Sequence, residues 1–354
     1  MKSEKQYIWL PESVGTATKF PAKAITSMKH ISILVPNEAV LASVFDPSYM
    51  FSAVNQFLLE GDKEHLFDVH LVGLTKEVRL NKGSFVINTN KLIGEVDKTD
   101  LIIIPALSGD LKSTLEMNKD FFPWIVKHYE KGAEVASLCI GAFMLASTGL
   151  LNGKKCSTHW IYADEFRSMF PEVTLVDDKI ITEEHALYSS GGASSYWNLL
   201  LYLIEKYTDR SMAIRASKYF AIEIDRKSQS PFIMFNGQKK HEDEPIRQAQ
   251  NFIESNVTEK ISVEELAKRF AIGRRHFERR FKKATHNTPV EYIQRVKIES
   301  AKKQLESGQK NVSEVMYDVG YSDTKAFRSI FKKITGISPV EYRNKYTGRV
   351  TARA

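Results

Sequence analysis

Between Ile31 and Ser147 the chain alternates short, largely apolar runs with longer segments of helical periodicity. The runs are ISILVP (31–36), LIIIPAL (101–107) and EVASLC (134–139). Strands of this character are buried on both faces, which happens in parallel sheets covered by helices. We therefore expect an α/β domain built on a parallel sheet, over residues 29–224.

Two more strands are predicted in this domain. They are FDVHLVGL (67–74) and, at an edge of the sheet, SFVINTN (84–90). Helical periodicity predicts one helix over residues 39–59 and another through residues 121–132, which ends in a glycine. A glycine is a common helix stop because it adopts the left-handed conformation without strain.

The stretch EVASLCIGAFMLAS places Cys139 between the fifth predicted strand and a predicted helix. Such a turn projects one side chain out of the sheet, and small residues such as Gly141 and Ala142 allow the close packing that it needs. Ligands bind at this end of parallel strands, and a helix N-terminus lowers a thiol pKa and offers N–H donors. His159 follows twenty residues later. The pattern fits a nucleophilic Cys–His pair, a ligand pocket or a purely structural cysteine.

Several neighbouring residues have a functional and a structural interpretation. His159 is either a site residue or a satisfied buried histidine, and Trp160 is either core or the aromatic wall of a pocket. The Gly/Ser turn at 189–197 either lets backbone approach a ligand or only joins a strand to a helix tightly. Cys156 is interpreted as a small buried hydrophobe.

Charge is unevenly distributed along the chain. Residues 245–354 carry 23 Lys and Arg against 12 Asp and Glu, whereas residues 1–244 carry 27 against 31. A basic C-terminal part next to a mildly acidic body suggests a polyanionic partner, most simply nucleic acid. The alternative is a well-solvated, lysine-rich helical domain.

The C-terminal part repeats one plan. SVEELAKRF (262–270) begins with a capping-box pattern and is followed by a short turn and the basic helix RRHFERRFKKAT (274–285). About fifty residues later the same order returns, and RFKKATHNTPVEYI aligns with IFKKITGISPVEYR. Phenylalanines at i and i+4 face inward in both basic helices. Helix, turn and second helix make a helix-turn-helix unit, so we expect two units joined by a long helix.

Other signals limit the setting. The chain has two cysteines, no apolar run long enough to span a bilayer and no signal-peptide core at its beginning. These features predict a cytoplasmic protein without disulfides or membrane contact. No Cys/His cluster has zinc-ligand spacing, so neither a metal nor a cofactor is expected. Residues 1–28 are left as an extension of unknown structure.

The N-terminal motifs resemble the PfpI-like branch of the class I glutamine amidotransferase-like superfamily, which implies a flavodoxin-like sandwich. The resemblance rests on LIIIPAL, SLCIGAFMLASTGLLNGKKCSTHW and LYSSGGASSYWNLLLYLIEKY. It implies Cys139 and His159 as the degenerate catalytic pair. Active relatives carry histidine where this chain has Ile140 and an acid where it has Ser43. We therefore expect a pocket that binds a ligand without catalysing its conversion. The predicted ligand-binding residues are Ser43, Cys139, Ile140, Gly141, His159, Trp160, Ser190 and Gly191.

The duplicated C-terminal pattern, with its DVGYSD and SPVEYR motifs, resembles the AraC/XylS DNA-binding domain over about residues 247–346. The order of the two domains resembles the GlxA-type transcription regulators. We therefore expect a linker at 225–245, a DNA-binding domain at 246–346 and a tail at 347–354. The second helix of each unit is expected in the major groove. The predicted DNA-binding residues are Arg274, Arg275, Glu278, Arg279, Lys282, Lys283, Thr324, Lys325 and Arg328.

Together these features predict a sequence-specific transcriptional regulator of double-stranded DNA whose N-terminal domain binds a small metabolite, amino-acid-like by resemblance. A homodimer and contact with RNA polymerase are also expected. The alternative functions are a Cys–His enzyme of the amidase or hydratase kind, or a redox sensor at Cys139, each with a DNA-binding tail.

Overall fold

The computed structural model describes residues 27–224 and 228–347. The extension predicted for residues 1–28 lies almost wholly outside the described residues, as does most of the tail. Strands and helices alternate through the N-terminal part. They are β1 (Lys29–Leu34), α1 (Leu41–Leu59), β2 (Phe67–Gly73), β3 (Glu77–Leu80), β4 (Phe85–Asn88), β5 (Lys91–Leu92), β6 (Leu101–Ile104), α2 (Leu111–Met117), α3 (Phe121–Glu130), β7 (Glu134–Ser137), α4 (Ala142–Ser147), β8 (Lys155–Cys156), α5 (Ala163–Met169), β9 (Thr174–Leu175), β10 (Ile181–Glu184), β11 (Leu187–Ser190), α6 (Tyr196–Tyr207) and α7 (Arg210–Tyr219).

The main sheet has the strand order β10-β11-β7-β6-β1-β2-β5. Its pairs are parallel except for the antiparallel pair β10–β11 at one edge. All four residues of β6 are buried, which explains its uninterrupted aliphatic run. The parallel α/β domain predicted from the apolar runs is thus confirmed.

Helices cover both faces of this sheet. On one face lie α1, α6 and α7, and Phe51 and Leu199 of these helices share a core with Ile31 of the sheet. On the other face lie α3, α4 and α5, and Phe143 of α4 shares a core with Ile102 of the sheet. The cysteine predicted to be a small buried hydrophobe, Cys156, is fully buried in this second layer.

The prediction for residues 84–90 was wrong in its placement. β4 pairs antiparallel with β3 in a separate two-stranded ribbon, and β5 takes the edge beside β2 instead. Phe85 and Val86 are about half exposed, and only Ile87 of this strand is buried. The buried Ile87 lies opposite the buried Val78 of β3, and this cross-strand pair holds β4 on β3.

The C-terminal part is helical. Its helices are α8 (Glu244–Ser255), α9 (Val263–Arg269), α10 (Arg274–Thr285), α11 (Pro289–Ser307), α12 (Val312–Asp318), α13 (Thr324–Thr335) and α14 (Pro339–Tyr346). Reciprocal capping boxes begin α9, α11, α12 and α14. They satisfy the first backbone donors of each helix, and the one that begins α9 was predicted from its sequence signature.

The predicted repeat is present in three dimensions. Phe277 and Phe281 of α10 pack on Tyr292 in one small core, and Phe327 and Phe331 of α13 pack with Tyr342 in a second core. The second set lies fifty residues after the first. Each basic helix is therefore held by its own aromatic cluster, and α11 contributes to both cores.

Residues 228–238, which we call the strap, join the two parts. The apolar run FIMF (232–235), which lies within the predicted linker, forms no strand; a 3₁₀ turn occupies Ser230–Phe232 and the rest is irregular. The Phe235 ring packs on Tyr292, and its backbone N–H donates to the Glu299 carboxylate at 3.1 Å. Throughout the described residues, no helix has the length and apolar character that a membrane span requires.

Candidate functional site

The predicted elbow is formed where β7 turns into a short 3₁₀ segment and α4. Cys139 has a backbone φ of +54°, a left-handed conformation that a side-chain-bearing residue adopts only when its surroundings enforce it. A Cβ on Gly141 would lie 2.4 Å from the carbonyl oxygen of Pro105. Glycine at this position is therefore required by the approach of the neighbouring strand end.

The backbone of Cys139 is tied down on both sides. Its N–H donates to the Ser190 hydroxyl at 3.1 Å, and its carbonyl accepts from the Thr158 hydroxyl at 3.0 Å. Burial raises the pKa of its thiol to about 12, although the Ile140 backbone N–H bonds the sulfur and opposes the shift. At neutral pH the sulfur is therefore a protonated thiol rather than a nucleophile.

His159 does not form the predicted pair with Cys139. Its Nδ1 accepts from the backbone N–H of Ile161 at 3.2 Å, and its ring lies beside Trp160 and Tyr162. Burial lowers the pKa of the imidazole, which keeps it neutral. Among the described residues no hydrogen bond joins His159 to Cys139, because His159 is engaged at the start of the next helical turn.

Ser43 lies where active relatives carry an acid, and its side chain stabilises the fold. The fully buried hydroxyl donates to the carbonyl of Val40 at 2.7 Å and accepts from the backbone N–H of Ala106 at 2.9 Å. It therefore fastens the first turn of α1 to the segment after β6. With its donor and an acceptor in use, the hydroxyl has little capacity left for a ligand.

A carboxylate nearby was missed by the sequence reasoning. Asp46 accepts a hydrogen bond of 2.6 Å from the hydroxyl of Tyr196, and burial raises the pKa of Asp46. Burial and the hydrogen bond to Asp46 raise the pKa of Tyr196. Asp46 lies in α1, three residues after Ser43 and immediately before Pro47.

The loop after β11 contacts the strap. The side chain of Gln229 is almost fully buried; its amide donates to the carbonyls of Thr158 and Lys179, and its oxygen accepts from Gly192 N–H at 2.8 Å. A Cβ on Gly191 would lie 2.5 Å from the Gln229 amide nitrogen. Gln229 thus packs against the glycine of the loop where Ser190 and Gly191 were predicted to bind a ligand.

Trp160 begins the 3₁₀ turn Trp160–Tyr162, directly after His159. It is half-buried and lines a cleft of about 100 Å³ with Asp164, Phe235 and Arg295, between the N-terminal part, the strap and α11. Of the two interpretations of Trp160, core does not describe its position, and the pocket that its ring lines is this cleft.

The predicted DNA-binding residues of the first unit lie on one helix, α10. Arg275, Arg279, Lys282 and Lys283 are exposed, while Phe277 and Phe281 of the same helix point into the core. Arg274 bonds Glu278 and Glu264 at 3.2 Å each. Glu278, predicted to read a base, is therefore held by Arg274 in the free protein.

The predicted residues of the second unit, Thr324, Lys325 and Arg328, are all exposed on α13. Asp323 caps this helix by accepting from Ala326 N–H at 2.8 Å, as its position suggested. Sequence reasoning missed the exposed Lys332 and Lys333, although the fifty-residue repeat aligns them with Lys282 and Lys283. It also missed His276, whose ring nitrogen bonds Arg279 at 3.0 Å, because no pattern marked it.

Two family models match the chain. A model described as the DJ-1/PfpI family matches residues 30–206, which are half of the chain, and a model described as a helix-turn-helix domain matches residues 266–345. A solved protein from Vibrio parahaemolyticus, 21% identical, has the fold of 55% of this chain over 99% of its own length, with a TM-score of 0.50.

Three similar proteins from Pseudomonas aeruginosa carry names as HTH-type transcriptional regulators. ArgR is 26% identical over 61% of this chain and 66% of its own length, and GbdR is 26% identical over 60% and 58%. CdhR is 21% identical over 78% of this chain and 82% of its own length. The chain thus spans less than two thirds of the length of ArgR and GbdR. By its family models, the chain belongs to the DJ-1/PfpI family and carries a helix-turn-helix domain behind its DJ-1/PfpI domain.

Proposed function

We propose that the protein is a transcriptional regulator that binds specific duplex DNA through α10 and α13. The observation that carries this proposal is the structural repeat. Both helices are twelve residues long, both are held through two buried phenylalanines, and both expose basic side chains on the opposite side. An α-helix fits the major groove of B-DNA, where base edges present a distinct pattern for each base pair.

The two helices divide the contacts in the same way. Arg275 and Arg279 of α10, and Lys325 and Arg328 of α13, project from the first half or the middle of each helix and are suited to guanine edges. The lysine pairs near the helix ends suit phosphates, which position a protein without specifying sequence. The Arg274–Glu278 ion pair is exposed, so it exchanges readily for contacts to DNA.

The test is selection of bound duplexes from a random library by the full chain, followed by titrations at several salt concentrations. A recurrent sequence is expected, with an affinity that falls steeply as salt rises. Arg328→Ala is expected to lower affinity for the selected duplex about tenfold to a hundredfold, since a good base contact contributes about 1–3 kcal/mol. Arg79→Ala, an exposed arginine on β3, is the matched control. Equal affinity for selected and random duplexes at physiological salt would refute the proposal.

The regulator's effector is a small metabolite that binds beside Cys139. Support comes from Asp46, a partly exposed carboxyl group next to Tyr196, whose ring stacks near Trp197 with centroids 6.0 Å apart. A carboxylate with aromatic neighbours suits a cationic amine, in keeping with an amino-acid-like ligand.

A thermal-shift screen that pairs amines with their uncharged analogues tests this part. A ligand that binds only the folded state raises the melting temperature. Asp46→Asn should remove the shift caused by the amine, whereas Asp62→Asn, an exposed aspartate after α1, should not. Shifts that persist in Asp46→Asn would place the effector elsewhere.

Catalysis at Cys139 is not part of the proposal. The protonated thiol and the engagement of His159 with Ile161 support a binding use of the elbow over turnover. A homodimer and contact with RNA polymerase remain predictions, to be tested by sedimentation with and without the selected duplex.

A further inference from the structure

Lys297, in the middle of α11, is a buried lysine that neither proposed site uses. Its side chain is among the buried polar groups, with 6% of the residue exposed. The ammonium donates to three carbonyl oxygens, of Val257 at 2.7 Å, Glu259 at 2.9 Å and Val319 at 2.9 Å. No carboxylate lies within ion-pair distance of it among the described residues. The ammonium therefore acts as a donor to three backbone segments.

The three carbonyls belong to different helix-turn-helix units. Val257 and Glu259 lie in the connection between α8 and α9, in the first unit, while Val319 ends α12 at the turn of the second unit. One side chain on the shared helix α11 thus bonds both units at once.

The same junction is closely packed. Gly320 has a φ of +74°, and a Cβ there would lie 2.3 Å from the carbonyl oxygen of Thr258 and 2.6 Å from the Lys297 ammonium. Val257 packs against the aromatic cores of both units. The turn of the second unit is therefore in direct contact with the loop of the first.

Burial of an ammonium among carbonyls is unfavourable unless its donors are all satisfied. An apolar side chain at this position would fill the space but would leave the two loops unconnected. The use of lysine here is explained by the orientation that three directed hydrogen bonds impose.

We infer that Lys297 is a positioning residue that fixes the distance and the rotational phase between α10 and α13, and so sets the spacing of the two DNA segments that the protein recognises. This inference rests on the proposed DNA-binding function. Two recognition helices on one rigid body accept only one spacing, because each added base pair rotates the second segment around the duplex.

The first test measures, without DNA, whether Lys297 fixes the distance between the two units. Spin labels at the exposed positions Lys268→Cys on α9 and Ser329→Cys on α13 report the distance between the units. We expect a narrow distance distribution in the otherwise unchanged chain, a broad one with Lys297→Met, and a return toward the narrow one with Lys297→Arg. Lys303→Met, an exposed lysine on the same helix, is the matched control. A distribution that stays narrow in Lys297→Met would overturn the inference, and circular dichroism checks that the helices persist.

The second test uses the duplex selected by the full chain, with five base pairs inserted between its two recognised segments. The insertion turns the second segment to the opposite face of the duplex, so the unchanged chain is expected to lose affinity roughly tenfold or more. Lys297→Met should bind both duplexes within about twofold of each other, near the affinity of a duplex with one segment. An unchanged spacing preference in Lys297→Met would refute the role. If the distances broaden but no sequence is selected by the unchanged chain, the DNA-binding proposal is what fails.

Discussion

Alkylation kinetics test whether the elbow cysteine is reactive. Burial raises the pKa of Cys139 to about 12 and that of the fully buried Cys156 to about 12 as well. An ordinary cysteine has a pKa of about 8.5, so at pH 8 about a quarter of it is thiolate, against about one part in ten thousand for a thiol with a pKa near 12.

The expected rate follows from these populations. Relative to a free cysteine, the thiolate population is smaller by a factor of roughly two thousand. A thiolate of higher pKa is more nucleophilic, which raises the rate constant of each thiolate about fortyfold and offsets part of this loss. Cys139 should therefore react with a small alkylating reagent at least about fiftyfold more slowly than a free thiol at pH 8. Steric burial slows it further, and the rate should rise tenfold per pH unit up to the limit of stability.

The assay follows iodoacetamide incorporation by mass spectrometry between pH 6 and 9, in the native chain and in guanidinium chloride. Two labels are expected in denaturant and almost none in minutes under native conditions. Cys139→Ala and Cys156→Ala assign any residual label. A native thiol that titrates below pH 8 and vanishes in Cys139→Ala would refute this reasoning and would revive the enzyme and redox-sensor functions.

Three further measurements test other parts of the structure. Phe331→Ala empties the aromatic core behind α13 and should lower the free energy of unfolding of that unit by about 3–5 kcal/mol, measured by urea unfolding; a loss below about 1 kcal/mol would contradict the packing. Asp243 caps α8 and accepts two hydrogen bonds from Arg280, which hold its pKa below the ordinary value. Its stabilisation is therefore fully present above about pH 4 and is lost as the pH falls through the native pKa. Asp243→Asn, which keeps the cap, should therefore lower the melting temperature at pH 7, and the difference from the unchanged chain should shrink as the pH falls below about 4. Gln229→Ala should leave the Thr158 carbonyl and the Gly192 N–H unpaired, remove one of two donors to the Lys179 carbonyl, and speed proteolytic cleavage within the strap. Unchanged cleavage would show that the strap is held by other contacts.

The features that sequence predicted well are those with a local cause. The continuous aliphatic run of β6 and the small residues after Cys139 encode burial on two faces and a tight turn. The basic helices could be predicted because their phenylalanines recur at i and i+4, and because a capping box marks the start of the helix before the first of them. Each of these signals acts within a few residues, so the sequence contains it whole.

The features that sequence missed depend on distant partners. Whether residues 84–90 pair with the main sheet or with β3 depends on which edge has room, and no local period reports that. Asp46 and Tyr196 lie 150 residues apart, and Gln229 reaches Thr158 across 71 residues. These contacts decide where the candidate pocket is polar, and they arise only when the chain has folded.

The strap has a practical consequence for exchanging domains between related chains. A boundary chosen by composition within residues 225–245 can fall inside the strap, in which Gln229 contacts the N-terminal part and Phe235 contacts α11. In a chimera joined before residue 228, a residue of the other protein would replace Gln229 and would pack against Gly191. The space there is tight, because even a Cβ on Gly191 would collide with the Gln229 side chain. A chimera joined after residue 238 would keep the contacts of Gln229, but Phe235 would then pack on a helix of the other protein instead of on Tyr292 of α11. A chimera should therefore take the strap from the same protein as the residues that it contacts in one of the two parts. In the other part, the residues that contact the strap should be identical to those of this chain.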